Sequence, residues 1–223
     1  MWALLAQGSM VLTYSSSTPF SAFGYTDDRQ AGYVPDGSYT GWADQVMASG
    51  FDSQAIVTDV EVTLQISGGS NGDLYAYLSH GGLMSVLLNR PGKSATDPFG
   101  YADAGMSVQL SDQSPNGDIH WYQASGGSIA GGIAWQPDGR NVDPLGVTGS
   151  EPRNNMLSVF SQNSANANGA WTLFIADLSS GDQSCVTAWS VQITGGTSQS
   201  VPEPSVWVLI LLGASLLLQF RRS

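Results

Sequence analysis

The chain has 223 residues, which fits one globular domain with short appendages and argues against two enzymes in tandem. Eighteen acidic residues against seven basic ones give a formal net charge of -11. Because so acidic a surface repels phosphate backbones, nucleic acid is a poor partner. Charged residues make up only 11% of the chain and glycine occurs 27 times, which favours strands and turns over helices and predicts an all-β protein.

Residues 1–21 fit an export signal poorly. The segment from Met1 to Tyr14 is mostly apolar, but it has no lysine or arginine, and three residues from Gln7 to Ser9 interrupt it. A secretory signal begins with a basic region followed by an apolar stretch. Either the signal is atypical or the true start lies upstream, so we interpret residues 1–21 as a weak or truncated signal region.

Between residues 22 and 196 the hydrophobic pattern has a period of two. Val60, Val62, Leu64 and Ile66 alternate with polar residues, which is typical of a strand with one buried face. Glycine, proline and asparagine turns separate this segment from other short apolar runs. The pattern predicts two packed antiparallel sheets. Further strand candidates are residues 73–79, 85–89, 106–110, 157–160, 171–177 and 187–194.

Several segments of this region form a recognisable series. It runs from Val-Pro-Asp-Gly at 34–37 through the strand at 56–66 and Gly-Asp-Leu at 72–74 to Asn-Gly-Ala-Trp-Thr-Leu-Phe-Ile-Ala-Asp at 168–177 and Trp-Ser-Val-Gln-Ile at 189–193. The series resembles the P/Homo B domain, a jelly-roll β-sandwich best known beside the catalytic domain of subtilisin-like proprotein convertases. The chain departs from that family at Ser67-Gly68, where the family commonly has Ser-His. The resemblance implies an antiparallel, jelly-roll-like β-sandwich over residues 22–196, and any endopeptidase activity would belong to the neighbouring protease.

Candidate catalytic side chains are few. His80 and His120 are the two histidines, and neither lies in a recognised catalytic motif. Cys185 cannot form an internal disulfide, since it has no second cysteine, and it opens a predicted strand. We therefore expect no catalytic residues and no bound organic cofactor.

Oxygen-rich turns offer one other kind of site. Asp36, Asp73 and Asp177 stand in or beside glycine-containing turns, where carboxylates and carbonyls can converge on calcium. The alternative is that aspartate caps turn amides by itself. Calcium is thus a candidate ligand, and the turn-capping role is the competing interpretation.

Aromatic residues offer a second kind of site. Trp121, Tyr122 and Trp135 could stack on sugar rings, whereas Trp171 and Trp189 alternate with core residues and are expected to be buried.

The C-terminal segment is apolar and uncharged from residue 206 to residue 218. The sixteen residues from Ser205 to Phe220 would span about 24 Å as a helix, slightly less than a hydrocarbon core of about 30 Å. The alternative, a buried helix of a globular domain, would show a polar face, and this segment shows none. Arg221 and Arg222 place its far end in the cytoplasm by the positive-inside rule. The span is represented by Val206, Trp207, Leu211, Leu212, Leu216 and Leu217.

A short stiff motif precedes the span. Two prolines flank a glutamate, and each fixes its own φ and holds its predecessor out of the helical region. The motif, the apolar helix and the terminal arginines together resemble the PEP-CTERM sorting signal of Gram-negative bacteria. This resemblance implies export, transient anchoring in the inner membrane and processing by exosortase. The motif comprises Val201, Pro202, Glu203 and Pro204 within a sorting segment over residues 197–223.

The sequence therefore predicts an exported, non-catalytic protein of the cell surface or extracellular matrix. It would be anchored in the inner membrane before processing and displayed at the surface or released afterwards, with exosortase as its processing partner. The alternative is an accessory module that binds extracellular polysaccharide or protein, and a hydrolase ranks third.

Overall fold

The structure is a computed structural model that describes residues 9–197, in which nine β-strands form two sheets. The strands are β1 (Met10–Ser17), β2 (Ser38–Ala48), β3 (Ala55–Gly68), β4 (Leu74–His80), β5 (Leu83–Asn89), β6 (Met106–Leu110), β7 (Ile133–Trp135), β8 (Gly169–Asp177) and β9 (Ser184–Thr197), with one short helix, α1 (Ser158–Gln162). The all-β prediction is confirmed.

The five-stranded sheet has the order β1-β9-β3-β6-β7, and the four-stranded sheet has the order β2-β8-β4-β5. Every pairing is antiparallel except that of β6 with β7, where Val108 lies opposite Ile133 in a parallel register. The long connection between these two strands brings the chain back to the end of the sheet where β6 began, which parallel pairing requires. The expectation of wholly antiparallel sheets is wrong at this one edge.

The inner faces of both sheets contribute to one buried apolar cluster. Its largest side chains are tryptophans on strands of both sheets, each at most 2% exposed. Burying one side chain of this size stabilises the fold by about 2–3 kcal/mol. Trp171 and Trp189 are confirmed as core residues. The four core tryptophans are Trp42, Trp135, Trp171 and Trp189.

Residues 157–160, predicted as a strand, instead form the N-cap and the first three residues of helix α1. The carboxylate of Asp112 accepts hydrogen bonds from the backbone N–H groups of Leu157 at 2.9 Å and Ser158 at 2.8 Å. These donors are free at the first turn of any helix, and a carboxylate there stabilises it. A four-residue apolar run does not distinguish a strand from such a turn.

Strand β1 lies within the range interpreted as a signal region. It pairs with β9 along its whole length, from Met10 opposite Gly195 to Ser17 opposite Ala188. Its inward-pointing residues alternate with exposed ones, as the pleat of a half-buried strand demands. The sheet therefore begins before residue 22, where the sequence analysis placed the start of the sandwich.

Within residues 9–197, no helix is long and apolar enough to cross a membrane. The predicted span at residues 206–218, the sorting motif at 201–204 and the terminal arginines lie outside the described residues, as do residues 1–8.

Candidate functional site

The three aspartates predicted as calcium ligands lie at one end of the four-stranded sheet. Asp177 ends β8, where it is paired with Ser38 of β2 and Leu74 of β4. Asp73 directly precedes β4, and Asp36 lies two residues before β2. The fold thus brings three aspartates from separate parts of the chain to the same end of the sheet.

Each of these carboxylates already has a protein partner. Asp73 receives a hydrogen bond of 3.2 Å from the Arg90 guanidinium, and Asp36 accepts one of 3.1 Å from the backbone N–H of Gly181. Asp177 accepts one of 3.0 Å from the Ser184 hydroxyl. In the part of the chain that the structure describes, no three Asp, Glu, His or Cys side chains converge closely enough to hold a metal ion. Asp36 instead fills the turn-capping role.

Asp177 is electrostatically unusual. Its side chain is fully buried, and its Oδ1 atom has no hydrogen-bond partner. The pKa of this carboxyl is raised from 3.8 to about 6, chiefly because the group is buried; the negative charges of Asp73 and Asp36 contribute to the rise, and the hydrogen bond from Ser184 opposes it. The carboxyl therefore takes up a proton under mildly acidic conditions.

His120 forms a buried pair with an aspartate. Its Nδ1 atom lies 2.7 Å from Oδ2 of Asp138, and its Nε2 atom lies 2.9 Å from the backbone oxygen of Lys93. Both His120 and Asp138 are 0% exposed. Both ring nitrogens are therefore engaged with oxygen atoms of the protein, and neither is directed at a side-chain nucleophile.

Arg140 extends this pair into a network. Its guanidinium lies 3.2 Å from Asp138 and 2.7 Å from Asp118, and it donates to the Gly149 carbonyl at 2.8 Å. Arg153 binds the backbone oxygen of Asp138 at 2.9 Å. The network joins the long segment between β7 and α1 to the β6–β7 connection and to the loop after β5, which is a structural role.

The other two catalytic candidates are similarly engaged. His80 lies between the backbone oxygens of Asn166, at 2.6 Å, and Ala170, at 2.8 Å, and its ring stacks on Trp171. Burial raises the pKa of the Cys185 thiol, which favours the unreactive neutral form. Among residues 9–197, neither histidine makes a hydrogen bond to a serine, threonine or cysteine side chain.

The aromatic residues expected to face sugar rings are mostly buried. Tyr122 and Trp135 are each 1% exposed and belong to the core. Trp121 is half-buried, with its ring edge-on to His120. Tyr122 and Trp135 cannot offer a ring face to a ligand, so this predicted stacking group is wrong. Trp135 is drawn inward because it lies on β7, where its indole N–H donates to the Ser128 carbonyl at 2.8 Å.

The outer face of the five-stranded sheet is polar and mostly uncharged. Ser15, Ser190, Thr63 and Gln109 lie side by side across its first four strands. A shallow groove of about 200 Å³ runs over this face. The sequence did not predict this groove, because serine, threonine and glutamine at alternate positions of a strand indicate a solvated face without indicating a binding site. The groove is lined by Ser15, Ser16, Ser17, Thr63, Gln65, Ala188, Trp189 and Ser190.

Basic side chains are almost absent from the described surface. Seventeen of the eighteen acidic residues lie within residues 9–197, together with only five of the seven basic ones. Arg90, Lys93 and Arg140 are buried, Arg29 pairs with Asp27, and Arg153 is held by backbone oxygens. The described surface therefore presents acidic and neutral groups to any partner.

Comparisons with known proteins give little further information. No protein-family model and no curated protein matches the sequence. Among solved structures, the chain is similar to Aeromonas sobria serine protease, with a TM-score of 0.44 and 14% identity over 85% of this chain and 27% of that chain. It is also similar to a chain in the complex of that protease with the chaperone ORF2, with a TM-score of 0.45 and 14% identity over 86% of this chain and 28% of that one. The chain thus spans less than a third of the structures that it matches.

Proposed function

We propose that the chain is an exported, non-catalytic β-sandwich of jelly-roll type that an exosortase sorts and processes at its C-terminus. The observation that carries the proposal is the order of Pro202-Glu203-Pro204, the uncharged segment 206–218 and Arg221-Arg222. Two prolines around a glutamate favour an extended backbone, and a position beside an apolar span would set the height of the motif above the bilayer. A membrane-embedded enzyme can therefore select the motif by position.

The described sandwich ends with strand β9, a few residues before this motif. Thr197 lies opposite Ala55 of β3, and Gly195 lies opposite Met10 of β1, so neighbouring strands hold the last strand on both sides. Four residues, 198–201, separate Thr197 from Pro202. Cleavage within the motif would leave every strand pairing of the sandwich intact, and the released domain would keep its fold.

The histidines and the cysteine support a non-catalytic role. Both nitrogens of His120 and of His80 are engaged with oxygen atoms, and the Cys185 thiol is held in its neutral form. A hydrolase of the triad type needs a histidine with a free lone pair directed at a nucleophile. The proposed location is the inner membrane before processing and the cell surface or extracellular matrix afterwards.

The test of sorting is expression in a host with an active exosortase. Replacing both Pro202 and Pro204 by alanine, or Glu203 by alanine, should leave uncut protein in the membrane fraction. Ser200→Ala, just outside the motif, is the matched control and should be processed normally. Mass spectrometry of the released wild-type form should find no peptide from residue 206 onward. Full-length protein outside the cell would refute the proposal.

A second candidate function is binding of a neutral polysaccharide. The supporting observation is the hydroxyl- and amide-rich outer face of the five-stranded sheet on a domain without an exposed, unpaired basic residue in its described part. Hydroxyl and amide groups pair with sugar hydroxyls, whereas the acidic surface repels uronic acid or sulfate groups. The preferred ligand is therefore a neutral glycan.

Affinity electrophoresis of the full-length chain in nonionic detergent tests this second candidate. Dextran or another neutral polymer should retard the protein, and alginate should not. Ser190→Arg should fill the groove and abolish retardation, whereas Gln54→Arg, in an exposed loop, adds the same charge elsewhere and should leave retardation unchanged. Equal retardation by alginate and by the neutral polymers would contradict the candidate.

A further inference from the structure

The two sheets have four edge strands, and three of them are protected against pairing with another strand. Natural proteins protect an edge with bulges, inward-pointing charges, short strands or covering loops, because exposed backbone N–H and C=O groups otherwise recruit another chain. The edges are β2 and β5 in one sheet and β1 and β7 in the other.

Strand β2 is irregular and carries a charge. Its register with β8 shifts between Ser38 and Trp42, and Asp44 points inward. The Tyr25 hydroxyl accepts a hydrogen bond of 2.9 Å from the backbone N–H of Ala43. Another strand could not extend past these features.

Strands β5 and β7 are protected differently. The backbone N–H of Val86 donates to Asn155 at 2.9 Å, and its carbonyl accepts from Gly139 at 2.9 Å, while Asp138 donates to Leu87 at 3.0 Å. A loop therefore covers β5. Strand β7 has only three residues, which offers too few backbone groups for a stable pairing.

Within residues 9–197, strand β1 has none of these devices. Its eight residues, Met-Val-Leu-Thr-Tyr-Ser-Ser-Ser, include no charge, no proline and no glycine, and its register with β9 is unbroken. Within the described residues, its backbone has no hydrogen-bond partner beyond β9. Met10 and Val11 are 44% and 51% exposed along it. At about 3.3 Å per residue this open edge is about 26 Å long.

We propose that β1 pairs antiparallel with β1 of a second copy of this chain. An antiparallel pairing of identical strands is two-fold symmetric, so the same edge serves both partners, as a closed dimer requires. The two five-stranded sheets would join into one sheet of ten strands. The inference is independent of the sorting proposal.

Charge favours this edge as the meeting point of two acidic chains. Thr13, Ser15 and Ser17 of β1 and their neighbours on β9 are uncharged. The nearest charged side chains in the register of this face are Asp59 and Glu61 on β3, two strands inward. In the dimer the two β3 strands would lie five strand spacings apart, about 24 Å, which is roughly three times the physiological Debye length of about 8 Å. Repulsion between copies is therefore weakest here.

Sedimentation velocity of the full-length chain in nonionic detergent tests the proposal. The wild type should form a dimer that dissociates on dilution between 100 and 1 µM. The double variant Val11→Lys, Thr13→Lys changes two exposed side chains and should be monomeric at 100 µM with an unchanged melting temperature. Met47→Lys, on the protected edge strand β2 and 63% exposed, is the matched control and should still dimerise. A dimer that persists in the double variant would show pairing through another region and overturn the proposal.

A cysteine scan keeps the test independent of the lysine variants. In a Cys185→Ser background, cysteine placed singly at Thr13, Ser15 or Ser17 should give a disulfide-linked dimer at the position nearest the two-fold axis. Cysteine at Met47 should give none. A wild type that is monomeric at 100 µM, or a scan that gives no cross-link, would overturn the proposal. Neither a dimer nor a cross-link would form if residues 198–205 of the same chain, or a strand of another protein, occupied this edge instead.

Discussion

The indole N–H of Trp189 donates a hydrogen bond of 2.8 Å to the carboxylate of Asp44, and this contact joins the two sheets through the core. Trp189 lies on β9 and is 2% exposed, and Asp44 lies on β2 and is 1% exposed. A charged group at this depth is tolerated only when it is hydrogen-bonded. The contact explains why an acidic residue occupies an inward-pointing position of a strand.

Replacing Trp189 should show how strongly the stability of the fold depends on the hydrogen bond to the buried Asp44 carboxylate. Trp189→Phe leaves the Asp44 carboxylate without its donor, and we expect the free energy of unfolding to fall by about 2–3 kcal/mol beyond the loss of packing. Asp44→Asn with Trp189→Phe should restore part of that loss, because a neutral amide is less costly to bury unpaired. Urea denaturation of the wild type, the two single variants and the double variant gives the coupling energy between Trp189 and Asp44. Strictly additive losses of stability would contradict the expectation.

Asp177 should make stability depend on pH. Burial raises the pKa of its carboxyl to about 6 in the folded state. The folded state therefore holds this proton more tightly than the unfolded state does. The contribution to stability is fully present below about pH 4 and is lost as pH rises through about 6, with a magnitude of up to about 3 kcal/mol. Asp177→Asn should be more stable than the wild type at pH 8 and equal to it at pH 4, measured by urea denaturation; an identical pH profile in both would contradict the raised pKa.

Calcium should leave the melting temperature unchanged, because the carboxylates of Asp36, Asp73 and Asp177 are each held by a protein donor. A bound ion would stabilise the fold by about 2.7 kcal/mol at one hundred times its dissociation constant. Differential scanning fluorimetry with 5 mM calcium and a magnesium control measures the shift. A rise that calcium produces in the wild type but not in Asp177→Asn would establish the site that the sequence suggested.

The same residues show how far sequence reasoning reaches. Alternation identified β3, and the buried positions Val60 to Ile66 follow it closely. Strand β2 was missed because Gly41 and Asp44 break the pattern, although a distant indole satisfies the carboxylate. Such partners come from the other sheet, so local periodicity carries no sign of them.

Sites were harder to predict than strands. Turn residues placed the three aspartates beside turns, but the donors that bind them, such as Arg90 and Ser184, come from other segments. The burial of Tyr122 and Trp135 depends on a crossover connection that has no periodic signal. What a side chain contacts is decided by tertiary packing, and single-sequence patterns report only its local conformation.

Two glycines with similar backbone conformations should respond differently to alanine. Gly32 has φ +93° and Gly50 has φ +101°, so alanine is strained at either position by about 1–2 kcal/mol. A Cβ atom at Gly32 would lie 1.9 Å from the backbone oxygen of Val186, whereas one at Gly50 meets only the Leu12 side chain at 3.4 Å. Gly32→Ala should therefore lower the melting temperature substantially more than Gly50→Ala. Equal shifts would show that backbone strain, and not the contact with β9, governs both positions.

His120 distinguishes a structural pair from a catalytic one. If its contact of 2.7 Å with Asp138 is structural, His120→Phe leaves a buried carboxylate balanced only by Arg140, and the free energy of unfolding should fall by about 3–5 kcal/mol. Adding Asp138→Asn should recover part of that loss by removing the charge that has lost its His120 partner. A catalytic dyad would behave in the opposite way, since its loss would abolish hydrolysis while leaving stability nearly unchanged. Urea denaturation and an esterase and peptidase screen of the wild type and both variants separate the two cases. The non-catalytic proposal would be refuted if the wild type hydrolysed a substrate and His120→Phe abolished that activity without lowering stability.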